Sequence, residues 1–124
     1  MDKLMNFNKE FYHEFSRDWQ TGWNSHDLGL IMKHYRSDIV FRSQKAMHLM
    51  GTGEIIVVED LRRYWAAALK RQPKLYFTIN NVFSGHQMMV ISYRNQSNIL
   101  AAETLYFDES GQVFQAAACH ASPR

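Results

Sequence analysis

Five aromatic residues, Phe7, Phe11, Phe15, Trp19 and Trp23, follow one another at intervals of four. An α-helix returns to the same face every 3.6 residues, so this spacing lays the rings along one slowly drifting stripe. A helix predicted over Asn6–Trp23 must bury that stripe, while Lys9, Arg17, Asp18 and Gln20 fall off it and suit water. The stripe therefore needs a large apolar partner surface, and a chain of 124 residues has room for one core only. A single domain over 1–124 is the expectation.

The rest of the composition narrows the function class. Hydrophobic residues make up 46% of the chain, enough for a packed interior. A formal net charge of +2 gives no support for a nucleic-acid partner or an anionic membrane surface. The longest apolar runs, Ile55 to Val58 and Met88 to Ile91, fall far short of the roughly 20 residues of a membrane helix. The opening MDKLMNFNKEFYHEF mixes charges among its aromatics and does not read as a secretory signal. Cys119 is the single cysteine, so neither a disulfide framework nor a cysteine-based zinc site is available. The histidines lack H-E-x-x-H or H-x-H spacing; no metal and no cofactor is expected. These features read as a soluble, cytoplasmic protein.

Along the chain, helices come first. Gly22 and Asn24-Ser25-His26-Asp27 end the first helix, and Asn24 or Ser25 is expected to cap the next, with Asp27 in its first turn. Leu28, Ile31, Met32 and Tyr35 form one face of a short second helix that Ser37-Asp38 stops. Asp38–Ser43 alternates Ile39 and Phe41 against Val40 and Arg42, as a strand does. Residues 44–53 read as irregular, and 54–58 as a short β segment. Glu59 and Asp60 open a third helix, Lys70 and Arg71 close it, and Pro73 marks its end. Its apolar face carries Leu61, Trp65, Ala68 and Leu69. Four strands then follow, over 75–83, 87–93, 99–107 and 113–121, separated by turn-forming residues and read as an antiparallel meander. Helices covering one face of a curved sheet make an α+β fold.

Trp23-Asn24-Ser25-His26-Asp27-Leu28, with Ile31, Tyr35 and Asp38-Ile39-Val40-Phe41, resembles the opening of the NTF2-like superfamily. Glu103-Thr104-Leu105-Tyr106-Phe107-Asp108 with Gly111-Gln112-Val113 is similar to that superfamily's penultimate strand, tight turn and last strand. The SnoaL-like and steroid-isomerase-like branches are nearest. The resemblance implies a cone in which a strongly curved antiparallel sheet wraps three helices, leaving a deep, largely apolar pocket. It also implies a homodimer through the outer sheet face, for which Tyr76, Tyr93 and Tyr106 are candidate contacts. In the steroid-isomerase branch an acid on the penultimate strand donates to the substrate oxyanion, and Glu103 matches it. That branch's base and oxyanion tyrosine are matched by Ser43 and Trp19, which places this chain outside that isomerase activity.

Strand parity and the resemblance together set the candidate site. Ala116, Ala118 and His120 share one face of the last strand, which the resemblance turns toward the pocket; Ala101, Glu103 and Leu105 share a face of the strand before it. Glu103 and His120 are thus the candidate catalytic pair, the carboxyl as acid or as an orienting group and the imidazole as base. The plain alternative for Glu103 is an ion pair with Arg94 or Arg42 at the sheet surface. Trp19, Trp23, Phe41, Ser43, Trp65, Leu69, Ala116 and Ala118 are candidate ligand contacts. Cys119 reads as a small buried residue, His26 as a turn or capping residue, and Arg62, Arg63, Lys70, Arg71 and Lys74 as a solvated face. The expected function is binding of a small apolar, carbonyl-containing molecule, with acid–base chemistry of isomerase, dehydratase, cyclase or hydrolase type. The competing expectation is a non-catalytic ligand-binding or dimerisation module.

Overall fold

The computed structural model describes residues 6–122. The domain expected over 1–124 includes residues 1–5 and 123–124, which lie outside this description. Four helices and six strands follow in the order α1 (Lys9–Asn24), α2 (Leu28–Met32), β1 (Tyr35–Ser43), α3 (Gln44–Met50), β2 (Glu54–Ile56), α4 (Val58–Arg71), β3 (Thr78–Gly85), β4 (Met88–Arg94), β5 (Leu100–Phe107) and β6 (Val113–His120). The strands form one sheet in the order β2-β1-β6-β5-β4-β3. From β3 to β6 this is the expected antiparallel meander. The first strand then closes against the last in parallel, with Phe41 opposite Ala116 and Ser43 opposite Ala118. The architecture is an α+β fold with a curved open sheet.

The α1 stripe is the backbone of the core. Asn8 caps the helix, its side-chain oxygen accepting from the Phe11 N–H at 2.9 Å, so helix begins at Lys9 rather than at Asn6. Phe7 lies ahead of the cap yet still packs on Phe11 and Phe107, with centroids at 5.0 and 5.9 Å. Tyr12, Phe15, Trp19 and Trp23 are all buried.

The polar segment after α1 is a set of clamps. Asn24 bonds both backbone groups of Phe77, receiving from its N–H at 2.7 Å and donating to its carbonyl at 2.9 Å. The His26 ring lies 2.8 Å from the Leu75 carbonyl. Asp27, not Asn24 or Ser25, caps α2 by accepting from the Leu30 N–H. Asn24 is unavailable because the backbone leading into β3 occupies both ends of its amide. These bonds fix the entry to β3 against the end of α1.

Other boundaries also differ from the sequence expectation. The second helix stops at Met32, and Tyr35 belongs to β1, which pairs across Tyr35 with Val113 before an irregularity that ends at Val40. The strand expected over 75–83 begins only at Thr78, after Leu75 and Phe77 have turned toward the interior. Residues 44–50 form α3, capped by the Ser43 hydroxyl at one end and by Gly51, at φ 78°, at the other. That left-handed conformation carries a steric cost for any side chain, which glycine lacks.

Strand alternation separates the sheet faces. Met89, Ile91 and Tyr93 of β4 and Ala101, Glu103, Leu105 and Phe107 of β5 point inward and are buried. Tyr93 was expected among the outer-face contacts; it shares parity with Met89 and Ile91, and is interior. Tyr106 and Phe83 do face outward, as does Cys119, which is exposed rather than buried because nothing among the described residues covers the outer face of β6. Among the described residues no helix is long and apolar enough to cross a membrane.

Candidate functional site

A cavity lies between α4 and the concave side of β1, β6, β5 and β4. Trp23, Phe41, Trp65, Leu75, Phe77 and Tyr93 supply its aromatic and aliphatic walls; Ser43, Tyr64, Ala68, Glu103 and Ala118 complete the interior. Lys45, Gln72, Asn95 and His120, all at least partly exposed, stand at its mouth. The cavity itself measures about 70 Å³, below the roughly 300–1,000 Å³ of drug-sized sites, and it opens to solvent at its mouth.

The walls cannot simply collapse inward. Trp65 is held edge-on by Trp23, Tyr35 and Phe41, with centroids 5.1, 5.0 and 5.3 Å away. Across the cavity Phe77 stacks on Trp19 at 5.5 Å and leans on Tyr93 at 4.6 Å. Rings locked by several neighbours have few rotamers with which to fill a gap. Opposite them β6 presents the small methyl group of Ala118, with His120 further along at the mouth.

Glu103 is the one buried carboxyl among the described residues, 4% exposed. The indole N–H of Trp19 donates to its Oε2 at 2.7 Å. Burial lifts its pKa from 4.5 to about 7, with the Trp19 hydrogen bond pulling weakly the other way. The surface ion pair that sequence left open does not form: Arg42 bonds Glu54 at 2.8 Å, and Arg94 donates to the Asn98 carbonyl. Its inward parity on β5 puts Glu103 on the other side of the sheet from both. Tyrosines surround it. Its charge raises the pKa of Tyr35, Tyr64 and Tyr93, in each case after desolvation, the larger cause.

His120 also faces the cavity, and its pKa is lowered, first by desolvation and then by the charge of Lys45. The imidazole is therefore neutral near pH 7. Glu103 stands opposite Ala118, and His120 opposite Ala101, so the two side chains are diagonal neighbours on one sheet face. Diagonal neighbours lie roughly 7–8 Å apart. No hydrogen bond joins them, so Glu103 does not orient His120 by direct contact. They address one cavity from two places.

Of the expected ligand contacts, Trp23, Phe41, Ser43, Trp65 and Ala118 line the cavity. Three do not. Trp19 lies behind Glu103 and Phe77, where it positions the carboxyl. Ala116 is sealed, 1% exposed, between its partners Phe41 and Leu105. Leu69 is one helical step past Ala68, about 100° round α4, and packs against the core instead. Ser43 turns its hydroxyl to the Ala46 N–H at 3.4 Å, which caps α3, and lies against the Tyr64 phenol. The indole N–H of Trp23 is buried without a partner.

Lys45, Tyr64, Ala68, Gln72, Leu75, Phe77, Tyr93 and Asn95 are absent from the sequence-derived set. Two carried a readable signal. Tyr93 sits two residues from Ile91 on a strand, and Tyr64 three from Leu61 on a helix. Among the described residues no cluster of three or more His, Cys, Asp or Glu side chains could hold a metal ion.

Residues 16–121 match the family model described as a SnoaL-like domain. A SnoaL-like protein of unknown function from Burkholderia thailandensis E264 is 30% identical over 94% of this chain and 100% of its own, with a TM-score of 0.88. A provisionally assigned isomerase of the SnoaL-like family from Agrobacterium tumefaciens C58 shares the fold at 8% identity, covering 91% of this chain and 99% of its own, with a TM-score of 0.72. A provisionally assigned polyketide cyclase from Sinorhizobium meliloti does so at 10% identity, over 86% and 94%, with a TM-score of 0.71. No curated protein matches the sequence. With the family model spanning nearly all of the described residues, the chain belongs to the SnoaL-like family of the NTF2-like superfamily.

Proposed function

We propose that the cavity binds a small, largely apolar carbonyl compound, and that Glu103 and His120 act on it as general acid and general base. The observation that carries this reading is a buried carboxyl with a pKa of about 7 in the same apolar cavity as a neutral imidazole. Near neutral pH the first can give a proton and the second can take one. A ligand carbonyl oxygen accepts a hydrogen bond from protonated Glu103. His120 removes a proton from the adjacent carbon; the C–H electrons become the C=C bond of an enol, and the Glu103 proton passes to oxygen. The spacing of the two groups suits atoms at different positions on one ligand. Enolisation opens isomerase and cyclase chemistry, and solved proteins of this fold carry both names.

2-Acetonaphthone in D2O tests the reading, because deuterium uptake at its methyl group, followed by NMR, reports enolisation. The expected result is exchange faster than in buffer, slowed about 10²-fold by Glu103→Gln and by His120→Ala with binding retained. Ala118→Phe should abolish binding by filling the cavity. Wild-type exchange rates in both side-chain variants would overturn the assigned roles. One observation favours a second reading, a ligand-binding module without chemistry: Ser43, at the position of the steroid-isomerase base, carries no base and caps a helix instead. Binding of 2-acetonaphthone without accelerated exchange is the result expected of it.

A further inference from the structure

The mouth of the cavity differs in charge from its interior. Lys45 and His120 stand on the cavity itself. A neighbouring hollow between α3 and α4 shares Lys45, Tyr64, Ala68 and Gln72 with it, and adds His48 and Arg71. The two hollows therefore run together at a rim that carries two permanent cations and two imidazoles. Among the described residues the only carboxyl lining either is Glu103, buried in the interior.

Neither cation is neutralised by a described residue. Among the described residues no carboxylate lies within salt-bridge distance of Lys45 or Arg71; the ion pairs are formed elsewhere, and on α4 itself Asp60 is taken by Arg63. Lys45 also gives up solvation: desolvation lowers its pKa, and its charge in turn lowers that of His120. Inside, the unpartnered Trp23 indole N–H stands in the cavity wall as a further hydrogen-bond donor. A neutral apolar ligand fills the walls and leaves the rim unused.

We propose that the ligand is a compact aromatic carboxylate, its ring system seated among Trp23, Trp65 and Phe77 and its carboxylate held at the rim by Lys45 and Arg71. The assignment rests on the reading of this cavity as a small-molecule site and adds the ligand's charge class. An arginine fork and an ammonium suit a carboxylate, because charge-assisted hydrogen bonds are stronger than neutral ones.

Two probes of nearly equal shape separate the claims. Calorimetric titration with 2-naphthoate and with neutral 2-acetonaphthone is carried out at pH 6, where Glu103 is protonated. 2-Naphthoate is expected to bind at least tenfold more tightly in 50 mM salt and to lose most of that advantage in 500 mM salt. Lys45→Gln and Arg71→Gln should each weaken 2-naphthoate several-fold and leave 2-acetonaphthone unchanged. Equal affinities in the wild type, or a preference that survives the double variant, overturn the proposal while the cavity reading stands. Failure of both probes to bind overturns the cavity reading and this inference with it.

Discussion

Phe11 and Phe15 stand edge-on to Phe107, with centroids at 5.2 and 5.0 Å, and Phe7 leans on the same ring. Further along the stripe Trp19 and Trp23 meet the same sheet and leave a cavity beside it. The helix supplies large aromatics at both ends, so the difference comes from the strands. At the closed end β5 and β6 offer Leu105, Phe107 and Val113, each no more than 1% exposed. At the open end the corresponding inward positions are Ala101, Glu103, Ala118 and His120. Small and polar residues against rigid rings cannot reach interior packing density, and the missing volume is the cavity. Whether a core closes is decided here by the less conspicuous partner.

The closed end depends most on Phe107. Phe107→Ala removes the ring on which the closed end converges and should cost about 3–5 kcal/mol, read as a shift in the denaturant midpoint. Additions to β6 should then grade along the strand. Ala116→Val overpacks a sealed position and should cost about 1–3 kcal/mol, whereas Ala118→Val grows into free volume and should change stability by less than about 1 kcal/mol. Equal costs at 116 and 118 would show that the two ends are packed alike.

A second contrast is electrostatic. Above pH 4.5 the unfolded chain loses the Glu103 proton, while the folded chain keeps it until about pH 7. The folded state thus binds more protons across this window, and the carboxyl's contribution falls as pH rises from 4.5 through 7. The full difference is about 3 kcal/mol. Glu103→Gln keeps an acceptor for the Trp19 N–H and cannot titrate, so its stability should be flat over the same window once the other groups are subtracted. A wild-type curve that the variant reproduces would mean that Glu103 is ionised, and solvated, throughout.

The residues that define the fold were legible because their signals are periodic. Aromatics four apart located α1, and alternation located β1 and the meander. The Asp108–Gly111 turn was plain for a local reason: Asp108 Oδ1 accepts from the N–H groups of Ser110 and Gln112 while Gly111 takes φ 87°. Glu103 and His120 were placed on one face by parity alone. What sequence concealed was three-dimensional. Helix α3 has only seven residues and carries no long apolar period, and its caps, Ser43 and Gly51, lie in sequence at the end of a strand pattern and inside an irregular stretch. With α3 missed, Lys45 had no address, and the cationic rim could not be assembled. Nor does periodicity tell that Trp19 stops behind the carboxyl while Trp23, one turn on, reaches the cavity.

The closed end has its own titratable group, to which no carboxylate or indole among the described residues hydrogen-bonds. His34 lies 4.6 Å from Phe15, centroid to centroid, and its Nε2 is buried without a partner. Desolvation, with a smaller contribution from Lys33 and a weak opposing pull from Asp18, brings its pKa down from 6.5 to about 4. Below pH 6.5 the unfolded chain takes up a proton that the folded chain refuses, so stability falls as pH drops from 6.5 through 4. Because the ring is partly reached by solvent, about 1–2 kcal/mol is the expected size. Glu103 and His34 therefore tilt the stability curve in opposite directions over overlapping windows, the first toward acid and the second toward neutral pH. His34→Leu should remove the acid-side loss alone, leaving the Glu103 slope in place, as followed by urea unfolding between pH 4 and 7. If His34→Leu also flattened the Glu103 slope, the two ends would be electrostatically coupled, and their separation into a sealed core and an open site would not hold.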